Sequence, residues 1–188
     1  MNFAFQKKLP NIPESIYPVM TGLAIKHNAI NLAQGFPGYG VDEELMSLVN
    51  RYMLLGKNQY APMMGVPELR RRIADKMEEL YGYGYDPNTE ICVTVGATQG
   101  IFTAVSTVVN QEDEVIIIDP AFESYEPIVK FNGGKVKRSP LKSGSFEIDW
   151  DDIQSKVTKK TRMLILNTPQ NPTGRVITIE DIQKLRKI

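Results

Sequence analysis

Two residue types that are almost missing from this chain set its first limits. One cysteine, Cys92, and one histidine, His27, occur in 188 residues. A lone cysteine closes no internal disulfide, and the pair falls short of the ligand set of a structural zinc site, so both kinds of stapled scaffold drop out. An excess of one charge is missing too, because 22 Lys+Arg meet 22 Asp+Glu. With no basic field to hold a phosphate backbone, nucleic acid is not expected as a main partner. Long apolar runs are also lacking: no window approaches the roughly 20 residues of a membrane span. Residues 1–13 carry Lys7 and Lys8 with no apolar stretch behind them, so neither secretion nor membrane insertion is expected and the protein is read as cytoplasmic.

What is present is an ordinary core-building composition, 42% hydrophobic and 23% charged, which excludes disordered, collagenous and coiled-coil readings. From residue 91 onward, short apolar β-branched runs at 91–95, 114–118, 135–138 and 162–166 alternate with amphipathic stretches at 98–109, 124–131 and 150–156. Val115-Ile116-Ile117-Ile118 and Met163-Leu164-Ile165-Leu166 are apolar on both faces, as strands are when helices cover each side. The pattern predicts an α/β fold with a mainly parallel sheet flanked by helices. Before it the reading is helical, over 14–28, 42–56 and 66–81, with Leu69, Ile73, Met77 and Leu80 at spacings of three and four. A Pro- and Asn-rich stretch of about 40 residues at the start reads as an N-terminal helical arm.

Three segments beyond predicted strand ends carry the chemistry. In Val95-Gly96-Ala97-Thr98-Gln99-Gly100 a strand gives way to a helix through small residues. Free N–H groups and the positive end of a helix dipole there suit a phosphate, although a plain turn with Thr98 as N-cap fits equally well. Asp119-Pro120-Ala121-Phe122-Glu123-Ser124-Tyr125 offers a flat aromatic wall for a ring. Phe122 and Tyr125 also suit the core of the next helix, and composition alone favours that reading. In Asn167-Thr168-Pro169-Gln170-Asn171-Pro172-Thr173-Gly174 two X-Pro bonds stiffen the backbone, which admits a cis bond. Such a loop can hold the Asn167 or Asn171 amide at a fixed place. Phosphate cradle, aromatic wall and fixed amide on one edge of a sheet describe a pocket for a phosphorylated aromatic ring.

These motifs, with Asn31-Leu32-Ala33-Gln34-Gly35-Phe36-Pro37 and Asn58-Gln59-Tyr60-Ala61-Pro62 before them, stand in the order found in class I/II pyridoxal-phosphate aminotransferases. The chain resembles most the methionine and kynurenine aminotransferase branch. The resemblance implies that Gly96, Ala97 and Thr98 hold the phosphate of pyridoxal 5'-phosphate, that Phe122 stacks on its ring and that Asn171 donates to its phenolic oxygen. It further implies that the Gly35 N–H meets the substrate carboxylate and that Tyr17 lines the side-chain pocket. Tyr60 is implied to reach across a homodimer to the partner's cofactor phosphate.

On the same resemblance, residues 1–40 form an N-terminal arm and small-domain segment. Residues 41–188 are then the first part of a cofactor-binding large domain, truncated on its C-terminal side. The family's Schiff-base lysine, its pyridine-facing aspartate and its carboxylate-clamping arginine find no match in the chain. Lys142, in Ser139-Pro140-Leu141-Lys142, reads as a solvated loop lysine, and Asp119 as a strand-end turn residue. Thr178-Ile179-Glu180-Asp181 resembles a capping box that opens another helix.

Three functions remain in play. The first is transamination between an amino acid (methionine, aromatic or kynurenine-like) and a 2-oxo acid, by a parent protein of which this chain alone is inactive. The second is a carbon-sulfur β-lyase of the same fold, and the third a non-catalytic module that binds a phosphate ligand or another chain.

Overall fold

A computed structural model describes residues 7–9 and 11–188. Of the expected N-terminal arm, residues 1–6 and Pro10 lie outside the described residues. The chain divides into two compact units, Ser15–Val95 and a second made of Met1–Glu14 with Gly96–Ile188.

The Ser15–Val95 unit holds three helices, each opened and closed by recognisable local chemistry. In α1 (Ile16–His27) the Ser15 side chain accepts from the Tyr17 N–H, and Asn28 closes the helix in the left-handed conformation. In α2 (Glu43–Leu54) the Asp42 carboxylate accepts from the N–H groups of Glu44 and Leu45. In α3 (Pro67–Tyr81) proline at the first turn gives up an N–H that would have no partner, and Gly82 closes the helix at φ +67°. Neither α1 nor α2 buries a single residue, whereas α3 buries Arg70 and Ala74.

One sequence expectation fails here. Residues 91–95, expected as a strand, are irregular. The Val93 N–H is given to the Met64 carbonyl at 3.0 Å, in a loop contact, and Val95 is 88% exposed. β-Branched composition reports a fit to a half-buried pleated surface, and no such surface forms around this run.

The second unit is built on a sheet of three parallel strands in the order β2-β1-β3. After α4 (Gly96–Val108) come β1 (Glu114–Asp119), α5 (Tyr125–Phe131), β2 (Lys135–Pro140), α6 (Trp150–Lys156), β3 (Thr161–Ile165) and α7 (Ile179–Leu185). The central strand explains the layers. Val115 and Ile117 point to one face, where Val105 and Val109 at the α4 end meet Ile128 and Val129 of α5. Ile116 and Ile118 point to the other, against Ile148, Trp150 and Ile153, with Leu164 and Leu185 packed alongside. Alternation along a strand buried on both faces therefore produces a three-layer unit.

From β1 the chain moves outward to β2 over the α5 face, then crosses the α6 face to place β3 on the other side of β1. The winding thus reverses at the central strand, and in open α/β sheets ligands gather beyond the carboxyl ends of strands at such a reversal. Among the described residues no helix is long and apolar enough to cross a membrane.

Candidate cofactor site at the carboxyl edge of the sheet

Two loops meet at that edge, and the start of α4 is turned toward it. Only residues 109–113 separate the end of α4 from the start of β1, and both elements are about 20 Å long. The helix therefore runs back along the strand and sets Gly96 toward the strand's carboxyl end. Gly96 adopts φ +82°, which disfavours a side chain, and a Cβ built there would meet nothing within 4 Å. Because α4 starts at Gly96, Thr98 lies inside its first turn and is not the N-cap. Gly96, Ala97 and Thr98, which open a 13-residue helix, are all exposed, and the positive end of the helix dipole lies there.

One loop leaves β1 through a cis Asp119-Pro120 bond. Phe122 is half-buried, its ring 5.7 Å from that of Tyr125 in an edge-to-face arrangement with the planes 73° apart. Tyr125 packs on the α4/α5 cluster, so the core supports Tyr125 and Tyr125 supports Phe122. Asp119 does not face the site as a free carboxylate: Arg138 on β2 donates to both its oxygens at 2.6 and 2.8 Å. The same guanidinium reaches Glu126, which also pairs with Lys130 at 2.7 Å. The Lys130 hydrogen bond, aided by the charge of Arg138, holds the Glu126 carboxyl below its ordinary value.

The other loop, after β3, contains cis bonds at Thr168-Pro169 and Asn171-Pro172. The Asn167 carboxamide oxygen accepts from the Asn171 N–H at 2.9 Å. Asn171 is exposed, and its side-chain amide stays outside that bond. Gln170 lies beneath, 8% exposed, and donates through Nε2 to the Pro120 carbonyl. Arg175 follows the loop and places Nη2 3.5 Å from Asp181, while its Nε is buried with no hydrogen-bond partner.

The donor set suits a phosphorylated pyridine. An exposed helix start, a supported aromatic face and an exposed amide belong to one unit. The enclosed space beneath them, lined by Ala121, Asn167, Gln170 and Asn171, is only about 20 Å³, room for about one water molecule. A ring would therefore rest on this shelf of loops rather than inside the crevice.

Gly35, Tyr60 and Tyr17 belong to the Ser15–Val95 unit. Gly35 is exposed with nothing within 4 Å of a built Cβ, Tyr60 is fully exposed, and Tyr17 lies half-buried in the first turn of α1. Lys142 is an exposed loop residue whose N–H donates to Glu147. Two residues that shape the loops escaped the sequence reading. Gln170 is one, although a glutamine held between two prolines is a visible signal. Arg70 is the other: its Nε donates to the Gly65 carbonyl at 3.2 Å and its Nη1 to that of Pro87 at 2.5 Å. This fixes the turn that follows Tyr60.

Known proteins share this fold. The family model for aminotransferase class I and II matches residues 27–188. The methionine aminotransferase of Escherichia coli is 43% identical over 171 residues, spanning 91% of this chain and 44% of that protein. Human kynurenine–oxoglutarate transaminase 1 is 33% identical over 94% of this chain and 45% of its own length. The crystal structure of Escherichia coli YbdL, identified as having a methionine aminotransferase function, superposes with a TM-score of 0.95 at 41% identity. That match covers 99% of this chain and 49% of the solved one. The chain spans a little under half the length of the curated relatives it matches. It belongs to the class I and II aminotransferases, a family of pyridoxal-phosphate-dependent enzymes.

Proposed function

We propose that this chain supplies the phosphate and ring contacts of a pyridoxal-phosphate enzyme that moves an amino group from methionine, or an aromatic or kynurenine-like amino acid, to a 2-oxo acid. The observation that carries the reading is the tie between the 119–125 and 167–174 loops beyond the ends of β1 and β3, with the start of α4 turned toward the same edge. The similarity to a methionine aminotransferase supports the choice of donor.

In this reading the N–H groups at Gly96, Ala97 and Thr98, with the Thr98 hydroxyl, bind the cofactor phosphate. Phe122 covers one face of the ring, and the Asn171 amide donates to the phenolic oxygen, which favours its ionised form. When bound, the cofactor supplies a carbonyl that accepts the amino group and an electron-poor ring that spreads the charge left by the departing α-proton. The Gly35 N–H orients the substrate carboxylate, and Tyr17 borders the side-chain pocket. Tyr60 reaches the partner's phosphate in a cytoplasmic homodimer. In this reading the lysine that shuttles the proton is not supplied by this chain, which by itself binds cofactor without turning over.

The test has two arms. The chain is titrated with pyridoxamine 5'-phosphate, which forms no imine with surface lysines, and saturable binding is expected. A version of the protein that also supplies the lysine is then given methionine and a 2-oxo acid, and formation of the new amino acid is followed. Binding without oxo-acid dependence, together with release of ammonia, would assign elimination instead. Failure to bind the probe at all would overturn the reading.

A further inference from the structure

Gln170 spends every polar group it has. Its N–H donates to the Arg175 carbonyl at 2.8 Å, and its carbonyl accepts from the Gly174 N–H at 2.7 Å. Its side-chain oxygen accepts from the Thr173 N–H at 3.0 Å and from the Thr173 hydroxyl at 2.5 Å. Its amide nitrogen donates to the Pro120 carbonyl, 50 residues away in sequence. The residue is 8% exposed, so these bonds are shielded from competing water and breaking one leaves a buried group unpaired.

Position gives this cross-tie its meaning. Pro120 stands two residues before Phe122, and Gln170 is the immediate neighbour of Asn171. Asn171 is held from its other side by the Asn167 side chain, which follows the end of β3. One amide therefore couples the loop that offers an aromatic face to the loop that offers an edge donor. The β1–β3 ladder sets the spacing of the two stems and ends at Ile117 and Ile165. Beyond it neither loop is a strand or a helix at the joining point, and the hydrogen bond from Gln170 to Pro120 ties them.

We propose that Gln170 is a positioning residue, which sets the distance between Phe122 and Asn171 so that both can engage one ring. The proposal rests on the cofactor reading above. A hydrogen bond to the phenolic oxygen is sensitive to displacement. Freeing one loop from the other therefore weakens ring recognition, while the phosphate contacts at Gly96–Thr98, on a separate element, stay as they are.

Two variants of the full chain test this. Gln170→Glu keeps the acceptor for Thr173 and removes the donor to Pro120; Gln170→Ala removes both. Amide exchange at 121–125 is measured without ligand, and affinities for pyridoxamine 5'-phosphate and for inorganic phosphate are measured by calorimetry. Both variants are expected to speed exchange at 121–125. They should also lose about tenfold in affinity for pyridoxamine 5'-phosphate, the equivalent of roughly one hydrogen bond, with affinity for inorganic phosphate unchanged. A further expected signature is a rise in the pH at which the near-ultraviolet band of the bound probe shifts, because the ionised phenolic oxygen loses its donor.

Unchanged exchange at 121–125 would overturn the cross-tie whatever the ligand does. Equal losses for both ligands would reduce Gln170 to a fold residue and overturn the positioning role. A wild-type chain that binds no pyridoxamine 5'-phosphate while exchange still rises in the variants would overturn the cofactor reading, and the positioning role with it.

Discussion

Trp150 donates its indole N–H to Asp181 over 2.8 Å, joining the first residue of α6 to the first turn of α7, 31 residues later. Asp181 also closes the capping box of α7, accepting from the Thr178 N–H at 3.0 Å while its own N–H donates to the Thr178 hydroxyl at 3.2 Å. A single carboxylate thus caps one helix and anchors another. Asp181→Ala leaves the Trp150 N–H buried and unpaired, and a loss of about 2–4 kcal/mol is expected in urea unfolding.

The same carboxylate gives a pH dependence of known sign. Burial pushes the Asp181 pKa up, but the hydrogen bonds from Trp150 and Thr178, with the nearby Arg175 charge, outweigh it and hold the group below its ordinary 3.8. A group depressed on folding adds stability above its unfolded value, and that stability is lost as pH falls through the lower, folded value. The stability gap between wild type and Asp181→Asn should therefore narrow below about pH 4. A gap that widens on acidification would contradict the assignment.

Arg70 places a guanidinium that is 8% exposed among the carbonyls of Gly65, Pro87 and Asn88. Arg70→Met removes the donors and leaves those carbonyls short of partners, for a cost of about 1–3 kcal/mol. The Gly65 turn is tight in its own right, with φ +97° and a built Cβ 2.7 Å from Val93. The effect should therefore concentrate in faster amide exchange over 60–66. Arg70→Lys should rescue only part of it, since one ammonium cannot reproduce the planar fork.

A third site tests packing alone. At Gly134 a built Cβ comes within 2.8 Å of Val109 and 2.9 Å of Val129, and Val129 is fully buried in the α4/α5 cluster. Gly134→Ala is expected to cost about 1–3 kcal/mol by overpacking. Val129→Ala in the same chain should recover part of that loss, a coupling that a double-mutant cycle reads directly.

For the cofactor reading, Thr98→Val removes a hydroxyl from the first turn of α4 without changing side-chain shape. Affinity for pyridoxamine 5'-phosphate and for inorganic phosphate should fall together by about 5- to 20-fold, the worth of one hydrogen bond to a charged group. This parallel loss is the opposite of the pattern expected at Gln170.

Much of the unit that holds the sheet is legible from sequence because its signals are local. The run Val115-Ile116-Ile117-Ile118 announces a strand covered on both sides, and β1 is one. Thr178 and Asp181 announce a capping box, which forms. Residues 91–95 mislead for the opposite reason: strand formation depends on a neighbour, and a neighbour is not a local property. α3 shows a subtler limit. The stripe through Leu69, Ile73, Met77 and Leu80 is real in the sequence, yet Leu69 and Leu80 are 47% and 57% exposed. The buried stripe is rotated to Arg70, Ile73, Ala74 and Met77. Arg70 looks like its neighbours Arg71 and Arg72 until its place at the i, i+3, i+4, i+7 spacing is noticed. The Gln170 bond to Pro120 spans 50 residues and could be foreseen only with the fold in hand.

The end of the sheet remote from the loops carries a different kind of information. Glu112 pairs with Lys135, Glu114 with Lys137 at 2.9 Å, and Asp113 with Arg162 at 3.5 Å. Lys135 is aligned with Glu114, and Lys137 with Ile116. Sliding β2 by two residues would keep every apolar side chain on its proper face, so the core alone cannot forbid it. Such a slide would, however, separate Glu112 from Lys135 and Glu114 from Lys137. The charges act as a vernier for the sheet, selecting one among alignments the core would accept, and so fix how far the β1 and β2 tips project toward the loops.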